Sequence, residues 1–294
     1  MDLQDRRNHP WTALTAALLI TAFFAAGCSF AMNRAMPFFD NANAAVEKHS
    51  DYELIKAGIP ANIIIIEGLI ETAPKNKNLR ILAAQTYCVY ALGFVEDEDP
   101  RRASDLYLRG RDHGLVALRA NRRIAEALDA GIDEFEEAAA ALGEKDLPAL
   151  FWTANCWGSW INFNIGSMEA LSDLPRVKIL MRRTLEIDDT FFFGGAHLFF
   201  GILDVSIPRM AGGSPERSKE HFDRAFEISD GKFLLPYVLF AQHYAAFMLE
   251  RELFEDTLKM VLDAPRDLFP EQVLANEIAK KKAARLIGQA DELF

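Results

Sequence analysis

A chain of 294 residues that is 50% hydrophobic can bury a substantial core, as one large domain or as a continuous stack of repeats. Its formal net charge of −11 argues against a nucleic-acid partner, which needs a basic stripe, and against docking to anionic headgroups through a polybasic face.

The chain begins with Arg6 and Arg7, offset by Asp2 and Asp5, and continues as an unbroken run of apolar residues and Thr from Trp11 to Ala26. That run is short for a membrane span and fits the apolar region of an export signal. It stops at Phe24-Ala25-Ala26-Gly27-Cys28. Small residues just ahead of a Cys are what lipoprotein signal peptidase cuts, although Ala25 stands where Leu is usual. Residues 1–27 are therefore read as a lipoprotein signal peptide. Residues 28–50 are read as a lipidated Cys28 with its tether, and 51–294 as a single α-helical repeat domain. Each buried methylene of an acyl chain contributes about 0.8 kcal/mol, so two or more chains anchor a protein durably. Ser29, rather than Asp, follows the Cys. The expected location is the periplasm, lipid-anchored at the outer membrane. The charges of the leader cancel, so the remainder keeps the whole −11.

Beyond Asp51 the apolar period is helical almost throughout, broken by short stretches holding Pro, Gly, Asn or Asp. The pattern predicts helices over 51–57, 60–73, 77–96, 99–120, 122–130, 132–142 and 146–167. It predicts further helices over 175–186, 189–206, 215–229, 232–250, 252–263 and 270–291. Ser214-Pro215 supplies an N-cap followed by Pro at the first helical position, and Asp99-Pro100 and Leu174-Pro175 also place Pro early in a helix. Ile63-Ile64-Ile65-Ile66 has high β-propensity, but the apolar spacing through Glu67-Gly68-Leu69-Ile70 continues a helix.

Arg183-Thr184-Leu185-Glu186-Ile187-Asp188-Asp189 aligns with Arg224-Ala225-Phe226-Glu227-Ile228-Ser229-Asp230 at an offset of 41 residues. Each segment closes a helix, turns, and opens an aromatic-rich segment. This is the plan of tetratricopeptide-like helix pairs, whose unit is 34 residues; the loop Pro208-Arg209-Met210-Ala211-Gly212-Gly213 holds the excess. A helix pair cannot bury its apolar stripe alone, so neighbours stack into a superhelix.

No catalytic or metal motif stands out. The six His residues, at 9, 49, 113, 197, 221 and 243, form no His-x-x-x-His pair, and there is no Cys-x-x-Cys. Neither a Gly-x-Ser-x-Gly elbow nor a phosphate loop is present. Ala211-Gly212-Gly213-Ser214 ahead of a helix reads as a tight turn rather than an anion site. The acidic runs, such as Glu96-Asp97-Glu98-Asp99, read as solvated surface. No enzyme activity, cofactor or metal is expected. Cys88 and Cys156 fall within apolar helices and are expected as buried thiols rather than a bridge.

The aromatic residues are more informative. The helix over 146–167 carries Trp152, Trp157, Trp160 and Phe163 together with Asn155, and the next aromatic run contributes Phe191, Phe192, Phe193 and His197. Core packing accounts for each singly. Together they suit an apolar cavity with a few polar groups, as small-molecule sites are built. Trp152, Asn155, Trp157, Trp160, Phe193 and His197 are therefore the candidate ligand-binding or pore-lining residues.

Several segments resemble a known family, the T component associated with TRAP transporters. They are Gly58-Ile59-Pro60, Glu67-Gly68-Leu69-Ile70, Ala73-Pro74-Lys75-Asn76 and Arg102-Ala103 with Leu106-Tyr107. Arg109-Gly110-Arg111-Asp112, Trp157 with Trp160-Ile161, and Gly194-Gly195-Ala196-His197 with Gly201 follow in the same order. Gly212-Gly213-Ser214-Pro215-Glu216, Phe222, Ala225-Phe226 and Asn276 complete the likeness, which spans roughly residues 50–294. The resemblance implies a ring-like all-α protomer with a pore or cleft, assembled as a homotrimer. It also implies docking to the periplasmic solute-binding protein, the P component, and the handling of an organic, hydrophobic ligand. The competing reading is a general tetratricopeptide scaffold for envelope or outer-membrane assembly.

Overall fold

The computed structural model describes residues 36–39 and 41–294, so Cys28 and the leader lie outside the described residues. All regular structure among the described residues is helical. In chain order the helices are α1 (Tyr52–Thr72), α2 (Lys77–Tyr90), α3 (Pro100–Leu118), α4 (Arg122–Leu128), α5 (Ile132–Ala140) and α6 (Leu147–Phe163). There follow α7 (Met168–Ile187), α8 (Phe191–Ser206), α9 (Pro215–Ile228), α10 (Leu235–Leu239), α11 (Arg251–Asp263), α12 (Val273–Gly288) and α13 (Ala290–Leu293). Within the stretch read as a tether, residues 36–39 and 41–47 are helical, and Met36 and Phe39 pack on Ile66, Ile70 and Leu79.

Ser214 caps α9 as expected, and Asn76 and Asp99 do the same for α2 and α3. Asn76, Asp99 and Ser214 each accept a backbone N–H of the first turn they precede, removing donors that the helix itself leaves unpaired. The Ile63–Ile66 run is helical, with Ile59, Ile63, Ile66 and Ile70 forming the buried face of α1.

Prolines at 60 and 175 correct the expected boundaries. α1 runs through Pro60 as one helix, and α7 starts at Met168 behind a Ser167 cap, with Pro175 inside it. An interior Pro costs about 3 kcal/mol through a lost hydrogen bond and a clash. In both helices a continuous buried face offsets that cost: the four Ile of α1, and Ala170, Val177, Leu180 and Met181 of α7. Two helices also contain π turns that the period does not reveal, at Ala91–Val95 after α2 and at Phe240–Ala245 after α10.

Sequential helices pack on one another: α1 on α2, α2 on α3, α4 on α5, α6 on α7, α8 on α9 and α11 on α12. α3 also lies along α6, and a Cβ at Gly110 would meet Cys156 Sγ at 2.6 Å. A Cβ at Gly114 would collide with both the side chain and the Cα of Thr153. Two glycines one turn apart thus let these helices approach closely, and Cys156 donates its thiol hydrogen to Ala84 O at 3.3 Å in the same layer. Cys88 and Cys156 are both free and buried.

The two aligned segments are locally equivalent. Arg183 pairs with Glu186 at 2.9 Å and Arg224 with Glu227 at 3.4 Å, each one turn before its helix ends. The C-terminal helices have a core of their own, built on Leu234, Val238, Phe254, Leu258, Val261 and Leu286. α12 returns to the start of the domain, touching α1 and the first π turn. Lys282 there is 3% exposed and reaches Glu96 at 2.7 Å and Asp97 at 2.8 Å. Arg285 pairs with Asp97 and Lys281 with Glu53. Outside this seam, Gln272 reaches Glu47 and Arg266 reaches the carbonyl of Ser50.

Candidate functional site

The structure distributes the six predicted residues over three neighbouring places. The first is a strained aromatic turn at the head of α8. Phe192, Phe193 and Gly194 have φ of 46°, 56° and 72°, so the expected regular helix over 189–206 begins with a left-handed turn. Left-handed backbone costs a non-glycine residue about 1–2 kcal/mol, and here two phenylalanines adopt it in succession. Ring contacts hold them there. Phe192 lies 4.6 Å from Trp152 and 5.5 Å from Phe151 on α6, while Phe193 stacks on Phe233 at 4.5 Å and meets Phe269 edge-on at 5.6 Å. Adjacent residues thereby point into two different parts of the molecule. Strain maintained by surrounding packing is a recurrent mark of ligand clamps and switch segments.

Trp152 is buried in the main core, and Phe193 is half-buried. Asn155, three residues on from Trp152, is half-buried and makes no side-chain hydrogen bond among the described residues.

Trp157 and Trp160 form the second place. The Arg111 guanidinium lies 5.0 Å from the Trp160 ring and 5.8 Å from that of Trp157, within cation–π range. Trp157 is buried and donates its indole N–H to Asp173 at 3.0 Å, whereas Trp160 is half-buried. Arg111 also bonds Asp112, so its charge is already engaged.

His197 marks the third. Its Nδ1 lies 2.8 Å from Nδ1 of His221, which requires one ring to donate and the other to accept, and its Nε2 is 3.5 Å from Asp189. Arg224 fixes Asp189 at 2.9 Å. Burial pushes His197 below the ordinary imidazole range, although Asp189 opposes the shift. Burial likewise lowers His221, and the facing His197 adds to it. The pair is therefore neutral at neutral pH.

Sequence reasoning did not single out Arg111, Asp173, His221, Phe233 or Phe269. Arg111 stands inside one of the segments that carried the resemblance, and Phe192 adjoins a chosen residue. Nothing local connects Phe193 with Phe233 or Phe269, because those contacts depend on where the C-terminal helices pack.

The remaining motifs prove architectural. Asn276 is buried and bridges the N–H of Leu234 and the carbonyl of Lys232. Gly195 and Gly201 lie against the rings of Phe151 and Phe222. The cation of the turn at 208–213, Arg209, is engaged by Glu216, and Arg217 in the first turn of α9 by Asp204. A groove of about 350 Å³ opens elsewhere, between α5 and α7, and includes none of the six predicted residues. Among the described residues, no group of three or more His, Cys, Asp or Glu side chains is arranged to hold a metal ion. Nor is any helix there long and apolar enough to cross a membrane.

An all-helical domain of packed helix pairs, with aromatic clusters where its parts meet, is the class these observations define. The profile of one family, the TRAP transporter T-component, matches residues 48–294, and the chain belongs to that family. It is thus a transport accessory protein of a TRAP system. No curated protein matches the chain significantly.

Proposed function

We propose that the chain is a non-enzymatic periplasmic accessory component, held to the outer membrane by acyl chains on Cys28. It docks a TRAP solute-binding protein and takes up an organic, hydrophobic ligand. The observation that carries this reading is the T-component match over residues 48–294. In it, the ligand's apolar part lies against the half-buried Phe193 and Trp160, with Trp152 backing them from the core, and the unpartnered Asn155 amide bonds its polar end. Trp157 and His197 shape the wall beside it. Packing of α12 against α1 supports a protomer closed into a ring.

A homotrimer has support in α1. Its outer face carries Leu54, Gly58, Ala61, Ile64, Ile65 and Gly68, and no charged residue occurs between Ala57 and Ile66. Ile64 is 69% exposed and Ile65 56%, while a Cβ on Gly58 or Gly68 would meet nothing within 4 Å. A helix apolar on every side is normally buried, and small residues on its outer face admit a second copy at close range.

Sedimentation of the chain, alone and mixed with its solute-binding protein, tests the reading. A trimer that Ile65→Asp dissociates, and a complex that forms on mixing, are expected. A monomer that ignores the binding protein would refute both the assembly and the docking. The anchor has its own test: Cys28→Ala should leave an uncleaved or mislocalised precursor, and mature membrane-bound protein from that variant would sink the lipoprotein assignment.

A further inference from the structure

The groove between α5 and α7 points to a second, surface site. It exists because α5, over Ile132–Ala140, is less than half the length of α7, over Met168–Ile187, and so leaves part of α7's flank uncovered. The residues that α7 turns into it follow one helical face: Leu171, Leu174, Pro175, Lys178, Ile179 and Arg182. α5 supplies Ile132 and Glu136 across from them. The face changes character along its length. Leu171, Leu174 and Pro175 make one end apolar, with Met168 continuing that end at 81% exposure. Ile179 forms a buried apolar floor, and Lys178 and Arg182 make the far end cationic.

The charges at that end are unequal. Arg182 is held by Glu136 at 2.7 Å, so these two cancel. Lys178 is half-buried and has no hydrogen-bond or ion-pair partner among the described residues. Asp133 and Glu137 of α5 do not line the groove. An ammonium without a carboxylate partner, at the end of an apolar groove, is complementary to an anion with an alkyl tail. From Leu171 to Lys178 the helix advances about 10 Å, the reach of a medium-length chain.

We propose that this groove binds a medium-chain monocarboxylate, with its carboxylate on Lys178 and its chain along Leu171, Leu174 and Ile132. The site is separate from the aromatic turn and does not rest on the transport reading.

Photolabelling of the full chain in nanodiscs with a diazirine-tailed octanoate, located by peptide mass spectrometry, tests the proposal. Label is expected on 168–175 or on Ile132, displaced by octanoate and not by octylamine. Lys178→Glu, at a surface position that leaves the helical circular dichroism unchanged, should cut that label about tenfold or more, whereas Lys178→Arg should retain it. Equal labelling of Lys178→Glu and the parent, or equal displacement by octylamine, overturns the site. Label confined to Phe192–Phe193 or Trp160 overturns it too while supporting the interior site, so the two readings fail separately.

Discussion

Lys282 Nζ lies 2.7 Å from a carboxylate oxygen of Glu96, an ion pair joining positions 186 residues apart in the chain. Tyr107 donates its hydroxyl to the other oxygen of Glu96 at 2.5 Å. Burial pushes Glu96 above the ordinary carboxylate range, and Lys282 is the chief opposing influence. The last long helix is thus fastened to the first π turn by charges that need each other. Removing one partner of a buried pair costs about 3–5 kcal/mol, because the other is left uncompensated. Lys282→Met should lose that much in urea unfolding, and Lys282→Met combined with Glu96→Gln should recover part of it. A double variant no more stable than the single one would show that the pair is not the fastening.

The close approach of α3 and α6 makes Gly114 intolerant of even a methyl group. Gly114→Ala would press on Thr153 and should cost about 1–3 kcal/mol, in spite of alanine's better helix propensity. Gly288→Ala, at the open end of α12, should be neutral or stabilising by about 0.5–1 kcal/mol. Thermal unfolding of the two variants reads the contrast directly. Equal effects would show that the α3–α6 spacing is not set by the glycine.

Four histidines make stability fall in mild acid. Burial lowers His113, His197, His221 and His243, the last to about 4. An unfolded His takes its proton near pH 6.5, so below that value the unfolded chain binds more protons than the folded one. The stability these groups contribute is complete above pH 6.5 and is lost as pH falls, down to about 4 for His243. Glu47 and Glu96, raised by burial, act in the opposite sense but are outnumbered by the four histidines. The melting temperature should therefore drop between pH 7.5 and 5.5, and His243→Gln should flatten the slope. A melting temperature that holds or rises over that range would contradict the assignment.

Trp152 and Trp160 separate core from site. Trp152 is buried among Phe151 and Phe192, and Trp152→Ala should cost about 3–5 kcal/mol. Trp160 is half-buried beneath Arg111, so its truncation should cost less stability and should alter the binding of an apolar ligand or the co-purification of lipid. If Trp160→Ala costs as much as Trp152→Ala and leaves bound material unchanged, Trp160 belongs to the core alone.

The features legible from the residues alone are local. Asn76, Asp99 and Ser214 cap helices with hydrogen bonds to backbone groups two or three residues away, and the Arg-x-x-Glu segments 41 residues apart repeat one within-turn ion pair. The burial of Cys88 and Cys156 was legible for the same reason, since an apolar stripe needs only its own period. Tertiary structure decided the rest. Pro60 and Pro175 sit inside helices because packing against distant helices outweighs a local penalty. Phe192 and Phe193 occupy a left-handed turn because rings on α6 and in the C-terminal part hold them. The six aromatic and polar candidates fall into three places for that reason. A helical period fixes which face a residue shares with its near neighbours, whereas the partner across the interface depends on where a segment many residues away comes to rest.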